Sequence, residues 1–408
     1  MNRVLAFFLT LSLALFFVSP AFPETLELAG EKGTSSQMRT SGYVRSFAMY
    51  SVPPWGGAET AMLETRLRLK LSGELTARLH AELAYELAPV WRENTPLPMY
   101  TMPYQGFSYR AGDLDGTLYP GDPGPFETFE VKQNLDRAFI TYSGGSFDLS
   151  LGRQPVAFGS ARAVNPTDVL APYPLNTIAK EERIGVDALR LKVPLGQMSE
   201  LDTGAIFGDD FRTTKSAAYI RLKGYALGTD ISLMAMRFRD YSLYGLDLAR
   251  SIGGAGTWLE AAHVFTNTPG DDYLSITAGA EYLFTDEVYG HIEYHRNGAG
   301  TTEKSLYVLN ALKGAYTDGG VYLMGMNYLA PGINYQATPL LGISLSVMYN
   351  MDDRSALISP SVEYNAAEDV YIGMGGFSGT GASGTFPGQG SEFGSYADLW
   401  YTSFSYYF

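Results

Sequence analysis

Residues 63–71 read Leu-Glu-Thr-Arg-Leu-Arg-Leu-Lys-Leu, which puts Glu64, Arg66, Arg68 and Lys70 at even positions and leucines at most odd ones. On a helix these leucines would scatter round the cylinder, whereas on a strand the charges form one ladder and the leucines the opposite face. Arg78, Arg190, Lys192, Arg221 and Lys223 continue the ladder in later runs, and Arg137 and Arg153 join it from runs whose alternation is less regular. Glu260, Glu281, Glu293 and Glu363 take the equivalent positions further along the chain. If the leucines face lipid, a basic wall stands opposite an acidic one. Their field would orient polar or charged solutes. The same charges can instead pair across strands, as Glu64 and Glu82 can with Arg66 and Arg78.

A second constellation is His291-Ile-Glu-Tyr-His295, where His291, Glu293 and His295 share one strand face at a spacing a metal site can use, with Glu281 available next door. A polar stripe without metal explains the same residues, and no metal or other cofactor is assigned. Asp113-Leu-Asp-Gly116 matches only the start of a calcium loop and reads as a solvated turn. The glycines between Gly373 and Gly384 straddle a strand end and lack the strand-to-helix setting of a phosphate cradle. The four histidines accompany no Gly-x-Ser-x-Gly nucleophile motif, so the chain is read as a non-enzyme.

Period-two runs able to position these charges recur about eighteen times from residue 38 to 408, including 61–72, 74–87, 183–194, 215–224, 271–283, 286–296, 319–330 and 338–350. The count falls to sixteen if the weakest stretches, near 243–251 and 300–318, stay out of the wall. Short turns at Ser72-Gly73, 143–146, 227–230, 285–286 and 366–369 alternate with connections that include long ones at 88–129, 155–182, 297–318 and 378–395. Short turns on one rim and long loops on the other describe a transmembrane barrel with a periplasmic and an extracellular end. The last run places Trp400, Phe404, Tyr406 and Phe408 on one face and stops on an aromatic, which resembles the signal read by the barrel assembly machinery.

Met1-Asn-Arg3, the apolar run to Val18 and the small residues around Ala21 have the layout of a cleaved signal peptide, 1–21. The run is too short to span a bilayer as a helix. Exported chains that lack cysteine rely on the fold alone, and this one has none. Charged residues make up 18% of the chain, below the soluble average, while 29 tyrosines and 45 glycines suit aromatic girdles and loops. The formal charge of −14 argues against a nucleic-acid partner. No 20–50-residue repeat or biased linker divides the chain. The expected organisation is therefore all-β: a signal peptide, a short periplasmic segment at 22–37 and one antiparallel transmembrane barrel at 38–408.

Leu151-Gly-Arg-Gln154, Phe158-Gly159, Asn165-Pro-Thr-Asp168 and Glu182-Arg-Ile-Gly-Val-Asp-Ala-Leu-Arg190 together resemble the porin-like Gram-negative outer-membrane barrels related to the alginate-export barrel. The resemblance implies an eighteen-stranded passive channel with an arginine-rich bore, in contact with outer-membrane lipid. The acidic later half departs from a dedicated polyanion exporter. Read from the residues, Asn165-Pro166-Thr167-Asp168 has the caps to start a short helix in a loop long enough to fold inward. The expected function is passage of small polar or anionic solutes. The alternatives are a sheath around a periplasmic multihaem cytochrome, and a surface receptor or adhesin acting through 88–129.

Overall fold

The computed structural model describes residues 25–28 and 36–408, apart from 55, 57, 94–108, 115, 122–123, 125–126, 173–177, 179–182 and 385–389; for residues 25–28 and 36–37 only the backbone is described. The signal-peptide assignment at 1–21 and most of the periplasmic segment thus lie outside the described residues, as does the middle of the 88–129 loop.

A short strand β1 (Thr25–Leu28) pairs with the start of β2 (Ser36–Val52). The wall continues through β3 (Thr60–Thr76) and β4 (Leu79–Arg92), past the small β5 (Thr117–Tyr119), to β6 (Phe129–Ser143), β7 (Asp148–Pro155) and β8 (Gly185–Pro194). β9 (Glu200–Phe207), β10 (Ala217–Ala226), β11 (Thr229–Phe238), β12 (Tyr241–Ile252) and β13 (Ala255–Phe265) follow. β14 (Tyr273–Leu283), β15 (Val288–Arg296), β16 (Asn327–Thr338) and β17 (Leu341–Asn350) lead to β18 (Ser355–Ala367), β19 (Val370–Thr380) and β20 (Asp398–Tyr407). Leaving aside β1 and β5, every strand is antiparallel to its neighbours in sequence, and β20 pairs with β2 to close an eighteen-stranded barrel. Closure removes the sheet edges that lipid could not solvate. At the seam Gly42 exchanges backbone hydrogen bonds with Phe408, of 2.8 and 3.1 Å. A Cβ on Gly42 would lie 2.1 Å from the Arg68 carbonyl, so the close approach requires glycine.

The alternation sorts the wall into two faces. Leu69, Leu151, Leu189, Ile220, Leu233 and Ile292 are outward and exposed, forming the belt that contacts lipid. Their neighbours Arg68, Arg190, Arg221 and Glu293 take the opposite parity, toward the lumen. Connections at the periplasmic rim are short, such as 77–78, 227–228 and 253–254, whereas the opposite rim carries the long connections 93–128, 156–184, 297–326 and 381–397.

Two expected elements move. The hairpin after β3 turns at Ala77-Arg78, not at Ser72-Gly73, because the observed register sets Leu67, Leu69 and Leu71 opposite Leu87, Tyr85 and Leu83. A turn at 72–73 would set Leu71 against Glu74 and mix the two faces. The strand expected at 319–330 begins at Asn327. Tyr322, Leu323 and Met324 are consecutive and all buried, which a strand with one wet face cannot provide.

The extracellular half of the interior is packed rather than empty. Inward residues Ile206, Phe238 and Leu243 meet Val156, Phe158 and Leu170 from the 156–184 loop and Tyr307 and Tyr316 from the 297–326 loop. A second cluster joins Val164, Tyr322, Leu323 and Phe393 to Tyr328, Leu357 and Phe377 on the wall.

Candidate solute path and its constriction

Three of the four wall carboxylates expected to line the bore, Glu260, Glu281 and Glu293, are occupied by the 156–184 loop, whereas Glu363 on β18 stays exposed. Glu293, wholly buried on β15, accepts the backbone N–H of Arg162 at 2.8 Å, Ala163 at 3.2 Å and Val164 at 3.0 Å, and the indole N–H of Trp258 at 3.0 Å. Glu260 on β13 accepts from the Thr167 amide at 2.8 Å and hydroxyl at 2.6 Å. Thr277 on β14 donates to the Val164 carbonyl at 2.9 Å. Glu281 takes both Nε and Nη2 of Arg162, at 2.8 and 2.9 Å, and the Tyr289 hydroxyl at 2.6 Å. A buried carboxylate is tolerated only with such donors around it, so these bonds fix the loop across the bore.

Gly159 in this loop has φ +91°, and a Cβ there would sit 2.4 Å from a Glu260 oxygen. The expected helix at Asn165–Asp168 is a single turn closed by the Asp168 N–H on the Asn165 carbonyl, 3.1 Å. Glu260 captures the Thr167 N–H that a helix N-terminus would present. Arg162 is the residue of this pinned stretch that stays open, with its side chain 48% exposed and its guanidinium 5.3 Å from the Trp258 ring.

The basic ladder divides into a neutralised upper part and an exposed lower part. A bulge between β4 and β6 leaves Asp136 without a ladder partner, and this buried carboxylate accepts from Arg68 at 2.7 Å and Arg137 at 2.6 Å. Asp202 on β9, also buried, accepts from Arg190 at 2.9 and 2.7 Å, Arg221 at 2.7 Å and the Tyr219 hydroxyl at 2.8 Å. Phe158 of the loop covers Arg221, 4.9 Å from its guanidinium. Nearer the periplasm, Lys70 pairs with Glu82 at 2.9 Å and Lys223 with Glu200 at 3.8 Å, both lysines more than one-third exposed. Arg66 departs from this division: it lies on the extracellular side of Arg68 on β3, pairs with Glu64 and is one-third exposed. Lys192 is half-buried on the same face, opposite Asp202 and Asp148.

Two residues assigned to the ladder lie elsewhere. Arg78 sits in the exposed 77–78 turn because the hairpin is longer than expected. Arg153 faces Asp187 in register, on the parity of Leu151 and Leu189 rather than that of Ser150 and Arg190. It is buried by residues 109–113, bonding Asp187 at 2.8 Å and Asp113 at 2.7 Å. Asp113 is therefore an ion-pair partner, its carboxyl held below the usual range by Arg110 and Arg153 against the opposing effect of burial. His291, Glu293 and His295 do share the lumen parity, but Glu293 is consumed by the loop and His295 bonds Thr277 at 2.8 Å. No group of three or more candidate ligands meets at one point among the described residues.

The acidic hubs Asp136 and Asp202 and the loop residues Arg162 and Arg183 carry no site role in the sequence, although Arg183 falls within the Glu182–Arg190 motif. Asp202 had a signal, since Glu200 and Asp202 alternate with Leu201 beside Arg190 and Arg221. Arg162 had none, lying outside any periodic run, and Arg183 stood at the first position of the 183–194 run with nothing to mark it as the partner of Asp168.

No protein-family model matches the sequence, and no curated protein matches it. Solved structures do. Pseudomonas aeruginosa OpdK with vanillate is 11% identical, covers 91% of this chain and 98% of its own, and has a TM-score of 0.56. The Acinetobacter baumannii protein OccAB1 is 8% identical, with 91% and 96% covered and a TM-score of 0.54. The fold is that of the bacterial outer-membrane porins. A mutant Rh. blastica porin also matches, at 15% identity over 91% of this chain and all of its own, with a TM-score of 0.45. The porin fold places the chain in the outer membrane, with its aliphatic belt against lipid.

Proposed function

We propose that this porin-fold barrel is a passive channel for small polar or anionic solutes, drawn by the lower basic wall and sieved at the Arg162 loop. The carrying observation is the loop itself, bonded through Glu260, Glu281 and Glu293 across the interior of a closed barrel. Arg66, Lys70, Lys192 and Lys223 remain at least partly exposed on one side of the lumen. Ser344, Ser361, Ser403 and Ser405, of lumen parity on β17, β18 and β20, offer small hydroxyl-bearing surfaces on another. Lumen cations concentrate anions near a constriction, and hydroxyls replace part of the hydration shell. That OpdK was solved with vanillate, a small carboxylate, agrees with this solute class. A sheath around a cytochrome would need the extracellular half of the bore that the packed loops occupy.

Planar-bilayer recording in a salt gradient is the test. A reversal potential of anion-selective sign is expected despite the overall charge of −14, because rim charges beyond ~8 Å are screened at physiological salt. Replacing Arg66, Lys70, Lys192 and Lys223 together with Gln should move the potential toward cations. A wild-type pore that already prefers cations and ignores these substitutions would remove the basic wall from the mechanism.

A further inference from the structure

The periplasmic rim is apolar along one arc. Five consecutive turns, 195–199, 227–228, 253–254, 284–287 and 339–340, present Leu195, Met198, Leu227, Ile252, Phe284 and Leu340, each about half exposed or more. Leu227 is 96% exposed and stands at φ +54°, ahead of Gly228 at +74°. A two-residue turn with both central residues at positive φ favours Asn, Asp or Gly, and a bulky side chain there is strained. The β18–β19 turn carries its positive φ, +60°, on Asp369. Leu227 thus holds its place at a steric cost that no burial within the chain offsets. The turns on either side of the arc differ: one is Ala77-Arg78, another is Glu368-Asp369, and Phe147 of the 144–147 turn folds back on Tyr142, with ring centroids 6.0 Å apart.

The acids of the arc keep to its inner side. Glu200 and Asp230 take lumen parity with Lys223 at the strand ends, and Asp286 and Glu287 line an inner cavity with Glu363. The outward charge is a cation, Arg250, on the parity of Leu248 and Ile252. Toward the membrane the apolar surface runs on into the belt: Phe284 packs on Tyr282 with ring centroids 5.3 Å apart, and the exposed Leu222 and Leu233 stand above the Leu227 turn. Contiguous exposed apolar surface marks a protein or a membrane partner, and continuity with the lipid-facing belt selects lipid. We propose that this arc, from β8 to β17, is an interaction surface for the inner leaflet of the outer membrane, with the turn tips among the glycerol and headgroup atoms and Arg250 on a lipid phosphate. The barrel then sits deeper on this side than at the 77–78 and 368–369 turns. A cation on a long apolar stem reaches the headgroup level from within the belt, which an aspartate or glutamate does not.

The chain has no cysteine, so single introduced cysteines report one position each. Met198→Cys, Leu227→Cys and Leu340→Cys on the arc, with Arg78→Cys and Glu368→Cys off it, are labelled with the environment-sensitive fluorophore NBD. The full-length barrels are reconstituted in phosphatidylethanolamine–phosphatidylglycerol vesicles, and each is checked for the heat-modifiable folded band. Iodide, present on both sides of the bilayer, quenches labels in water, and a lipid spin-labelled near its headgroup quenches labels at the interface. Iodide quenching should be several-fold weaker at the three arc positions than at Arg78→Cys and Glu368→Cys, and quenching by the spin-labelled lipid should rank the other way. The three arc positions lie in different turns, so a variant that does not fold leaves two to decide. Labels on the arc as open to iodide as those off it would overturn the proposal and leave the arc to a periplasmic protein. Labels shielded equally at all five positions would overturn it too, because the whole rim would then lie at one depth.

Discussion

Asp202 shows how much of the basic wall's chemistry depends on one side chain. It neutralises two arginines and holds a tyrosine hydroxyl within the barrel wall. Asp202→Ala should cost ~3–5 kcal/mol, because it leaves Arg190 and Arg221 buried beside no counter-charge. The midpoint of urea unfolding in lipid vesicles reads the loss, and an unchanged midpoint would mean the arginines find water. Glu392, wholly buried in the 381–397 loop, accepts from the Met324 amide at 2.9 Å, the Asn350 amide group at 2.6 Å and the Tyr328 hydroxyl. Burial raises its carboxyl from 4.5 to about 7, against the pull of these donors and with the help of nearby Asp353. A carboxyl raised on folding favours the packed loop fully below its unfolded value of 4.5 and loses that advantage as pH climbs through 7. The difference is about 3 kcal/mol. Hydrogen exchange of residues 390–396, corrected for intrinsic rate, should therefore accelerate between pH 5 and pH 8.5. Glu392→Gln should flatten that dependence.

At the scale of the element, the 156–184 loop owes its position to the wall more than to itself. Its pinned stretch has no regular structure, yet Glu293 alone satisfies three successive amides. Glu293→Ala should leave the barrel assembled, release the loop and raise single-channel conductance several-fold. Bilayer recordings would show this, and a conductance equal to wild type would place the narrowest point elsewhere. The loop was legible in the sequence as long and inward-folding, from its length and its Asn-Pro-Thr-Asp turn. Its anchors were not. Glu260, Glu281 and Glu293 were visible as inward carboxylates, but their partners lie about 90 to 130 residues away.

For the whole molecule, the two faces of each strand should respond oppositely to charge. Leu69→Arg should destabilise the barrel by ~2–4 kcal/mol near the midplane. Lys70→Gln, one residue on and more than one-third exposed, should cost no more than ~1 kcal/mol. Equal costs in vesicle unfolding would contradict the assigned parity. Arg68 does not serve as the lumen control, since it lies buried between Asp136 and Glu86 and a carboxylate there would meet two others. Deleting Phe408 should lower the folded yield in the outer membrane, because its backbone closes the seam on Gly42.

The sequence by itself determined the barrel and which face of most strands meets lipid, and narrowed the strand count to sixteen or eighteen, which closure of the sheet decided as eighteen. Those properties follow from a local rule: side chains alternate every residue, and only one face can be apolar where the other is wet. The Ala77-Arg78 turn and the start of β16 were decided by register, a contest between alternative pairings that one strand read alone does not reveal. The tertiary structure alone decided which inward charges remain available to a solute. Arg68, Arg190 and Arg221 look like Lys192 and Lys223 in sequence, yet the first three are spent on Asp136 and Asp202 while the lysines stay partly open. Ion pairing depends on distance in space, and the closure of the barrel and the inward loops bring together residues that no local pattern connects.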